Sequence, residues 1–214
     1  FWFAEKKSEN ESLKLIVAAD CTGHGVPGAF MTVMGHDLLD DIVEKQNIIQ
    51  PAEILKILDI NILQRLKKSS ENKVNDGMDI AILLFDYNRK KVVYAGAKNP
   101  LYFVRNKEMN VIKASKFTIG GNEFGEKLFE QNELELFNND IFYIFSDGFQ
   151  DQFGGEMNQK YMTKNFRNFL LSISDKDMNE QRILIEKEFL EWKKDNKQTD
   201  DVLVIGIKYS ESIK

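Results

Sequence analysis

The sequence predicts an α+β fold in which antiparallel β-sheets are flanked by helices. Most of its β-prone runs are separated by hairpin-sized gaps, which favours antiparallel pairing over the crossover connections of a parallel sheet. Helical spacing of apolar residues interrupts the strands between residues 27 and 67 and again in the C-terminal third. With 214 residues and 43% hydrophobic content, the chain can bury one substantial core, so we expect a single domain, residues 1–214.

The predicted strands begin at the first residue. A strand-like run at 1–4, which opens with three aromatic residues, and an apolar run at 13–19 flank a polar cluster, which predicts a hairpin. Further β-prone runs occupy residues 80–86, 91–95, 101–104, 111–114, 128–136, 141–145 and 202–209.

Two helices are predicted between residues 27 and 67. The first should begin near Pro27, after a glycine-rich segment, with an apolar face formed by Phe30, Met34, Leu38, Leu39 and Ile42. The second should begin at Pro51, with an apolar face formed by Ile54, Leu55, Leu58, Ile62 and Leu66. We expect the two to pack as an antiparallel pair, and stripes at 161–170 and 185–192 predict two further helices.

Composition excludes several classes of protein. The net charge of -5 is dispersed, without a basic block that could neutralise nucleic acid. Cys21 is the only cysteine, so neither an internal disulfide nor a cysteine-rich metal site can form. No apolar run reaches membrane-spanning length, which predicts a cytoplasmic domain without membrane contact. Because the chain opens inside a strand-like run without methionine, we expect the C-terminal part of a longer sensor protein, which could itself be membrane-anchored.

The candidate catalytic residues are aspartates at the edges of β-prone runs. Asp20 precedes Cys-Thr-Gly-His-Gly, Asp147 lies in Ser-Asp-Gly, and Asp200 precedes Asp201 just before the last predicted strand. Carboxylates at such positions suit Mg²⁺ or Mn²⁺ rather than zinc. A pair of these cations can activate water for attack on a phosphoryl group, so no nucleophilic side chain is required. The sequence after Cys21 is consistent with this chemistry, because it lacks the five-residue loop and the arginine with which a cysteine phosphatase binds phosphate.

Each of these residues also has a simpler interpretation. Asp20 could cap the following helix, and Ser-Asp-Gly is an ordinary turn sequence. Asp201 could accept backbone hydrogen bonds beside the site rather than bind metal. Asp76 and Asp79 could serve a third, weaker metal or only a turn. His24 could donate a proton to the leaving group or only order its loop.

Taken together, five ordered motifs resemble a known family. They are residues 20–31 (DCTGHGVPGAFM), Gly77-Met78-Asp79, residues 95–100 (AGAKNP), Ser146-Asp147-Gly148 and Asp200-Asp201-Val202. Their order and spacing are similar to those of the SpoIIE-like serine phosphatase domains. These form the bacterial branch of the metal-dependent type-2C (PPM) protein phosphatases. The resemblance implies a sandwich of two antiparallel sheets with helices outside, and hydrolysis of phosphoserine or phosphothreonine on a protein.

The resemblance also implies a site with two metals, Mn²⁺ or Mg²⁺. Asp20 would bridge both ions, the backbone carbonyl of Cys21 would bind one, and Asp147 and Asp200 would complete the set. Family members carry a further metal-binding aspartate on the first strand, and this sequence begins at Phe1, after the position where it would stand. We therefore expect residues 1–214 to bind metal weakly and to turn over slowly.

Partners are implied in the same way. The substrate would be a phosphorylated protein of the anti-sigma-factor antagonist kind, in bacterial partner-switching signal transduction. An upstream sensor would act through the helix pair at 27–67, which would also supply a homodimer contact. The alternative is a catalytically silent module that keeps the fold to bind a phosphoprotein or to dimerise.

Overall fold

The computed structural model describes residues 1–8, 12–23, 25–69, 77–121 and 127–211, without the side chains of 67–69. These residues belong to two compact units, Phe1–Leu101 with Ile112–Leu136, and Tyr102–Val111 with Phe137–Lys214. Each unit contains an antiparallel sheet with helices packed against it. The predicted α+β class with antiparallel sheets flanked by helices is confirmed.

The described residues form the following elements, in chain order. The strands are β1 Trp2–Lys7, β2 Ser12–Cys21, β3 Met78–Asp86, β4 Lys91–Ala97, β5 Leu101–Arg105, β6 Glu108–Ile112, β7 Gln131–Glu135, β8 Ile141–Phe145, β9 Phe153–Gly154, β10 Gln159–Lys160 and β11 Val204–Lys208. The helices are α1 Val26–Asp40, α2 Pro51–Ser69, α3 Gly148–Asp151, α4 Thr163–Ser172 and α5 Met178–Lys193, and a π-helical segment, Asp41–Lys45, continues α1.

The first unit is organised around a five-stranded sheet with the order β1-β2-β3-β4-β7. The predicted hairpin is confirmed, since β1 pairs with β2 from Trp2 opposite Val17 to Lys7 opposite Ser12. β2 and β3 pair from Leu13 opposite Asp86 to Cys21 opposite Met78, with Asp20 opposite Asp79 one residue before that end. The register of this central pair therefore decides which side chains meet at the end of the sheet.

Helices α1 and α2 pack against this sheet, but the predicted face of α1 is partly wrong. Phe30 is 60% exposed, whereas Met31 beside it is buried. α1 carries apolar residues on more than one side, so its contact with the sheet, rather than its spacing alone, selects the buried face. The predicted face of α2 is confirmed at four positions that have no exposed surface: Ile54, Leu55, Leu58 and Ile62.

The second unit contains the four-stranded sheet β11-β8-β5-β6. β5 and β6 are joined by Asn106 and Lys107, whose φ angles of 53° and 63° are those of a tight two-residue hairpin turn. Beneath the sheet, aromatic rings of β5, β8, α3 and α4 pack edge to face or tilted, as in the pair Phe145 and Phe166 with centroids 5.1 Å apart. The short elements α3, β9 and β10 lie outside the predicted elements, because two to four residues carry no periodicity.

Candidate metal centre

In the first unit, two candidate carboxylates lie opposite each other at the end of the β2–β3 pair. Asp20 and Asp79 are direct partners in the antiparallel register, and both are half-buried. Side chains of directly opposed residues project from the same face of a sheet, with Cβ atoms about 5 Å apart. The hydroxyl of Thr118 donates a hydrogen bond of 2.9 Å to Oδ1 of Asp79. The structure therefore brings Asp79 next to Asp20.

The chain just beyond this pair is held by Thr22 and Gly77. The Thr22 N–H donates to the Gly77 carbonyl oxygen at 2.9 Å, and the Gly77 N–H donates to Oγ1 of Thr22 at 2.6 Å. A Cβ on Gly77 would lie 2.5 Å from the carbonyl oxygen of Ile119, so a larger residue would displace that backbone. The glycine of the Gly-Met-Asp motif thus allows the start of β3 to lie close to the backbone of Ile119.

Cys21 lies between Asp20 and Thr22, the residue that is hydrogen-bonded to Gly77. Burial raises the pKa of its thiol, and the nearby Asp20 carboxylate raises it further. The Thr32 hydroxyl donates to the sulfur at 3.7 Å and lowers the pKa, but by less than burial raises it. A nucleophilic cysteine needs a lowered pKa, because the thiolate is the reactive form. The environment of Cys21 therefore agrees with the expectation that the thiol is not the nucleophile.

The turn between β2 and α1 depends on glycine. Gly23 and Gly25 adopt positive φ angles of 89° and 71°. A Cβ on Gly28, in the first turn of α1, would lie 2.6 Å from the carbonyl oxygen of Gly23. His24, the candidate proton donor in this turn, lies outside the described residues, as does Asp76.

In the second unit, Ser146 joins the segment that bears Asp147 to the segment that bears Asp200 and Asp201. The Ser146 hydroxyl donates to the Asp201 carbonyl oxygen at 2.9 Å and accepts from the Leu203 N–H at 2.9 Å. A Cβ on Gly148 would lie only 2.3 Å from the same Asp201 carbonyl oxygen. The Ser-Asp-Gly motif is thus more than a turn sequence, because its serine and glycine both hold the segment before β11.

The carboxylate of Asp147 is surrounded by other acids. Its pKa is raised above its ordinary value by burial first, and then by the negative charges of Asp151 and Asp200, while Lys160 acts in the opposite direction. Lys160 donates to Oδ2 of Asp151 at 2.7 Å. The N–H of Asp201 donates to Oδ1 of Asp200 at 2.7 Å, so Asp200 is oriented by the backbone that follows it.

The predicted site residues therefore fall into two sets. Asp20 and Asp79 share the end of the β2–β3 pair, and Asp147 interacts with Asp200 in the second unit. Within the ranges that the structure describes, no group of three or more His, Cys, Asp or Glu side chains is close enough to hold a metal ion by itself. Sequence analysis missed Thr118, Asp151 and Lys160, since no motif marks them. Thr118 and Lys160 reach the aspartates only through the fold, whereas Asp151 is four residues from Asp147 and helical spacing could have indicated it.

The residues present fit a hard divalent cation. Their donors are carboxylate oxygens at strand ends, which is the set that Mg²⁺ and Mn²⁺ prefer. The like charges that raise the pKa of Asp147 are those that a bound cation would relieve. The close approach at Gly148 keeps the Asp147 turn against the Asp200–Asp201 segment.

The folding pattern is that of the type-2C protein phosphatases. The sequence profile of the family described as stage II sporulation protein E (SpoIIE) matches residues 11–210. The chain therefore belongs to the SpoIIE family of phosphatase domains. A search of curated proteins gave no match.

Solved structures share this fold. The SiaA-PP2C domain of Pseudomonas aeruginosa is 26% identical, with a TM-score of 0.84, over 98% of this chain and 80% of that one. A structure of the PP2C phosphatase domain with a fragment of the regulatory domain of SpoIIE from Bacillus subtilis is 16% identical, with a TM-score of 0.73, over 100% of this chain and 58% of that one. RsbX in complex with magnesium is 14% identical, with a TM-score of 0.59, over 97% of this chain and 86% of that one.

Among the described residues, no helix combines the length and apolar character needed to cross a bilayer.

Proposed function

We propose that the chain is a metal-dependent protein serine/threonine phosphatase that hydrolyses a phosphorylated protein by attack of water. Membership of the SpoIIE family supports the phosphatase class. Metal dependence is supported chiefly by the acids around Asp147, whose negative charges repel one another. A bound cation would neutralise these charges, so the repulsion is what a cation site shows when no cation is bound.

The proposed ligand set is Asp20 with the Cys21 carbonyl, Asp147 and Asp200. Two ions, Mg²⁺ or Mn²⁺, would supply Lewis-acid chemistry when bound, since they acidify water and neutralise phosphoryl charge. Asp79 and Asp201 are proposed as supporting residues: the Thr118 hydroxyl donates to the Asp79 carboxylate, and the Ser146 hydroxyl donates to the Asp201 carbonyl oxygen.

The chain's own residues prepare this chemistry in three ways. The Thr22–Gly77 hydrogen bonds fix the end of the β2–β3 pair that presents Asp20. Ser146 and Gly148 fix the Asp147 turn against the segment before β11. Lys160, which faces both Asp151 and Asp147, supplies a positive charge that lessens the repulsion among the acids.

The proposed setting is bacterial partner-switching signalling in the cytoplasm. The substrate would be a phosphoserine or phosphothreonine protein such as an anti-sigma-factor antagonist. Control by an upstream sensor, and a homodimer contact through α1 and α2, remain predictions of the sequence resemblance.

Hydrolysis of p-nitrophenyl phosphate and of a phosphoserine peptide in Mn²⁺ tests the proposal. We expect activity that needs Mn²⁺, disappears on chelation, and falls by at least about 100-fold in Asp20→Asn and Asp147→Asn. Asp175→Asn, at an exposed position in the turn between α4 and α5, is the matched control and should keep full activity. A protein that binds a phosphopeptide but hydrolyses nothing in either Mn²⁺ or Mg²⁺ would instead be the silent binding module.

A further inference from the structure

A buried ion pair ties helix α2 to the segment at residues 118–120. Asp59 of α2 and Lys127 are 9% and 6% exposed at their side chains, and Nζ of Lys127 lies 2.8 Å from Oδ1 of Asp59. The same carboxylate oxygen accepts the Gly120 N–H at 2.7 Å. The Lys127 ammonium also donates to the Thr118 carbonyl oxygen at 2.7 Å. Both ends of the segment are therefore attached to the ion pair.

The same segment contacts the proposed ligand end of the first unit. Ile119 exchanges two backbone hydrogen bonds with Met78, of 2.9 and 3.0 Å. This bridge places the Thr118 hydroxyl at 2.9 Å from Oδ1 of Asp79. Asp79 is in turn the register partner of Asp20. A continuous path of hydrogen bonds thus runs from the middle of α2 to the carboxylate beside Asp20.

The chemistry of this pair indicates a role in geometry more than in stability. Removing two charges from water costs several kcal/mol per ion, so apolar residues of similar size would hold α2 about as well. Apolar residues would not fix the orientation of the backbone, because they form no hydrogen bonds. Here three hydrogen bonds of 2.7 to 2.8 Å hold the Thr118–Gly120 backbone in one position relative to α2. The Thr118 hydroxyl is therefore held in place as well, because Thr118 belongs to this segment.

We propose that Asp59 and Lys127 are positioning residues for the metal centre and act through Thr118 on Asp79. This inference deepens the proposed function and rests on it. The ion pair fixes the segment, the Thr118 hydroxyl orients the Asp79 carboxylate, and Asp79 sets the charge and hydrogen bonding beside Asp20. Divalent cation affinity therefore depends on a contact made in the core under α2.

The test compares Mn²⁺ affinity with stability. Thr118→Val removes only the hydroxyl, Thr118→Ser retains it, and the double change Asp59→Leu and Lys127→Met removes both charges together. Leu58→Ala is the matched control, because Leu58 is the fully buried neighbour of Asp59 on α2 and makes no part of the path. The readouts are the Mn²⁺ dissociation constant by calorimetry, the Mn²⁺ concentration for half-maximal hydrolysis, and the thermal midpoint.

We expect Thr118→Val and the double variant to weaken Mn²⁺ binding by about tenfold, which is typical when a group that orients a ligand is lost. Hydrolysis at saturating Mn²⁺ should change little, and Thr118→Ser should restore wild-type affinity. Leu58→Ala should lower the thermal midpoint and leave the Mn²⁺ requirement unchanged.

Unchanged Mn²⁺ affinity in Thr118→Val would overturn the inference while leaving the phosphatase intact. An equal loss of affinity in Leu58→Ala would also overturn it, because the effect would then follow stability. A wild-type protein that binds Mn²⁺ without hydrolysis would refute the proposed function, and the calorimetric comparison would still decide the inference. A wild-type protein that binds no Mn²⁺ would refute both.

Discussion

Asp147 shows how the proposed activity conflicts with stability at a single residue. Burial and the neighbouring acids Asp151 and Asp200 raise the pKa of its carboxyl above its usual range. The folded protein therefore holds a proton at Asp147 more tightly than the unfolded chain does. A group of this kind favours folding at low pH, and its contribution is lost as pH rises from its ordinary pKa through the raised one.

The first prediction is that Asp147→Asn stabilises the metal-free protein at neutral pH. Burial and the neighbouring acids disfavour the charged form of the wild-type carboxyl group, whereas asparagine carries no charge. We expect the thermal midpoint of the variant to exceed that of the wild type by up to about 2 °C in chelator. The measurement is a thermal melt at several pH values.

The sign of the pH dependence is the control for that experiment. Below the ordinary pKa of 3.8 the wild-type carboxyl is protonated in both states, so the difference between the two proteins should vanish as pH falls. A variant less stable than the wild type at pH 7 would show that Asp147 is held by favourable contacts that outweigh the repulsion.

At the scale of elements, α1 presents apolar side chains to solvent. Val26, Phe30 and Val33 recur one turn apart and are 83%, 60% and 61% exposed. Met31 and Met34, further round the same helix, are buried in the core of the first unit. The helix is therefore apolar on two faces, and only one of them serves the fold.

The second prediction is that Phe30→Ser leaves stability within about 0.5 kcal/mol of wild type, because a largely exposed side chain loses little on truncation. Met34→Ala, on the buried face one turn away, should cost about 2–5 kcal/mol through the cavity that it creates. Urea unfolding of the two variants measures both values. A large loss in Phe30→Ser would mean that this face is covered in solution.

Sequence reasoning succeeded where a local signal exists. The buried face of α2 and the hairpin of β1 and β2 follow from spacing alone. Asp20 lies at the end of β2 and Asp147 just after β8, whereas Asp200 lies four residues before β11. It failed at Phe30, because the apolar residues of α1 are compatible with more than one buried face. Contact with the sheet, which the sequence does not show, determines that Met31 is buried and Phe30 is exposed. The path from Asp59 to Asp79 could not be found, since Asp59 meets Gly120 and Lys127 across 61 and 68 residues and Thr118 meets Asp79 across 39.

At the scale of the whole molecule, the third prediction concerns cation binding. A ligand that binds only the folded protein raises its stability by mass action, and Mg²⁺ at ten times its dissociation constant adds about 1.4 kcal/mol. We expect the thermal midpoint of the wild type to rise by about 3–6 °C at that concentration.

The same melts with Asp20→Asn and Asp147→Asn provide the comparison. Both variants should lose most of the Mg²⁺ shift, because both carboxylates belong to the proposed ligand set. Asp175→Asn should keep it. An equal shift in all four proteins would assign the stabilisation to ions bound elsewhere on the surface.

The placement of β11 in the second unit has a consequence for synthesis. All residues of the first unit precede residue 137, so the ribosome completes that unit before most of the second has been made. The Asp147 turn, in contrast, depends on Asp201 and Leu203 for its hydrogen bonds and on β11 as the neighbour of β8. A nascent chain therefore carries Asp20 on a finished sheet while Asp147 still lacks its supporting segment.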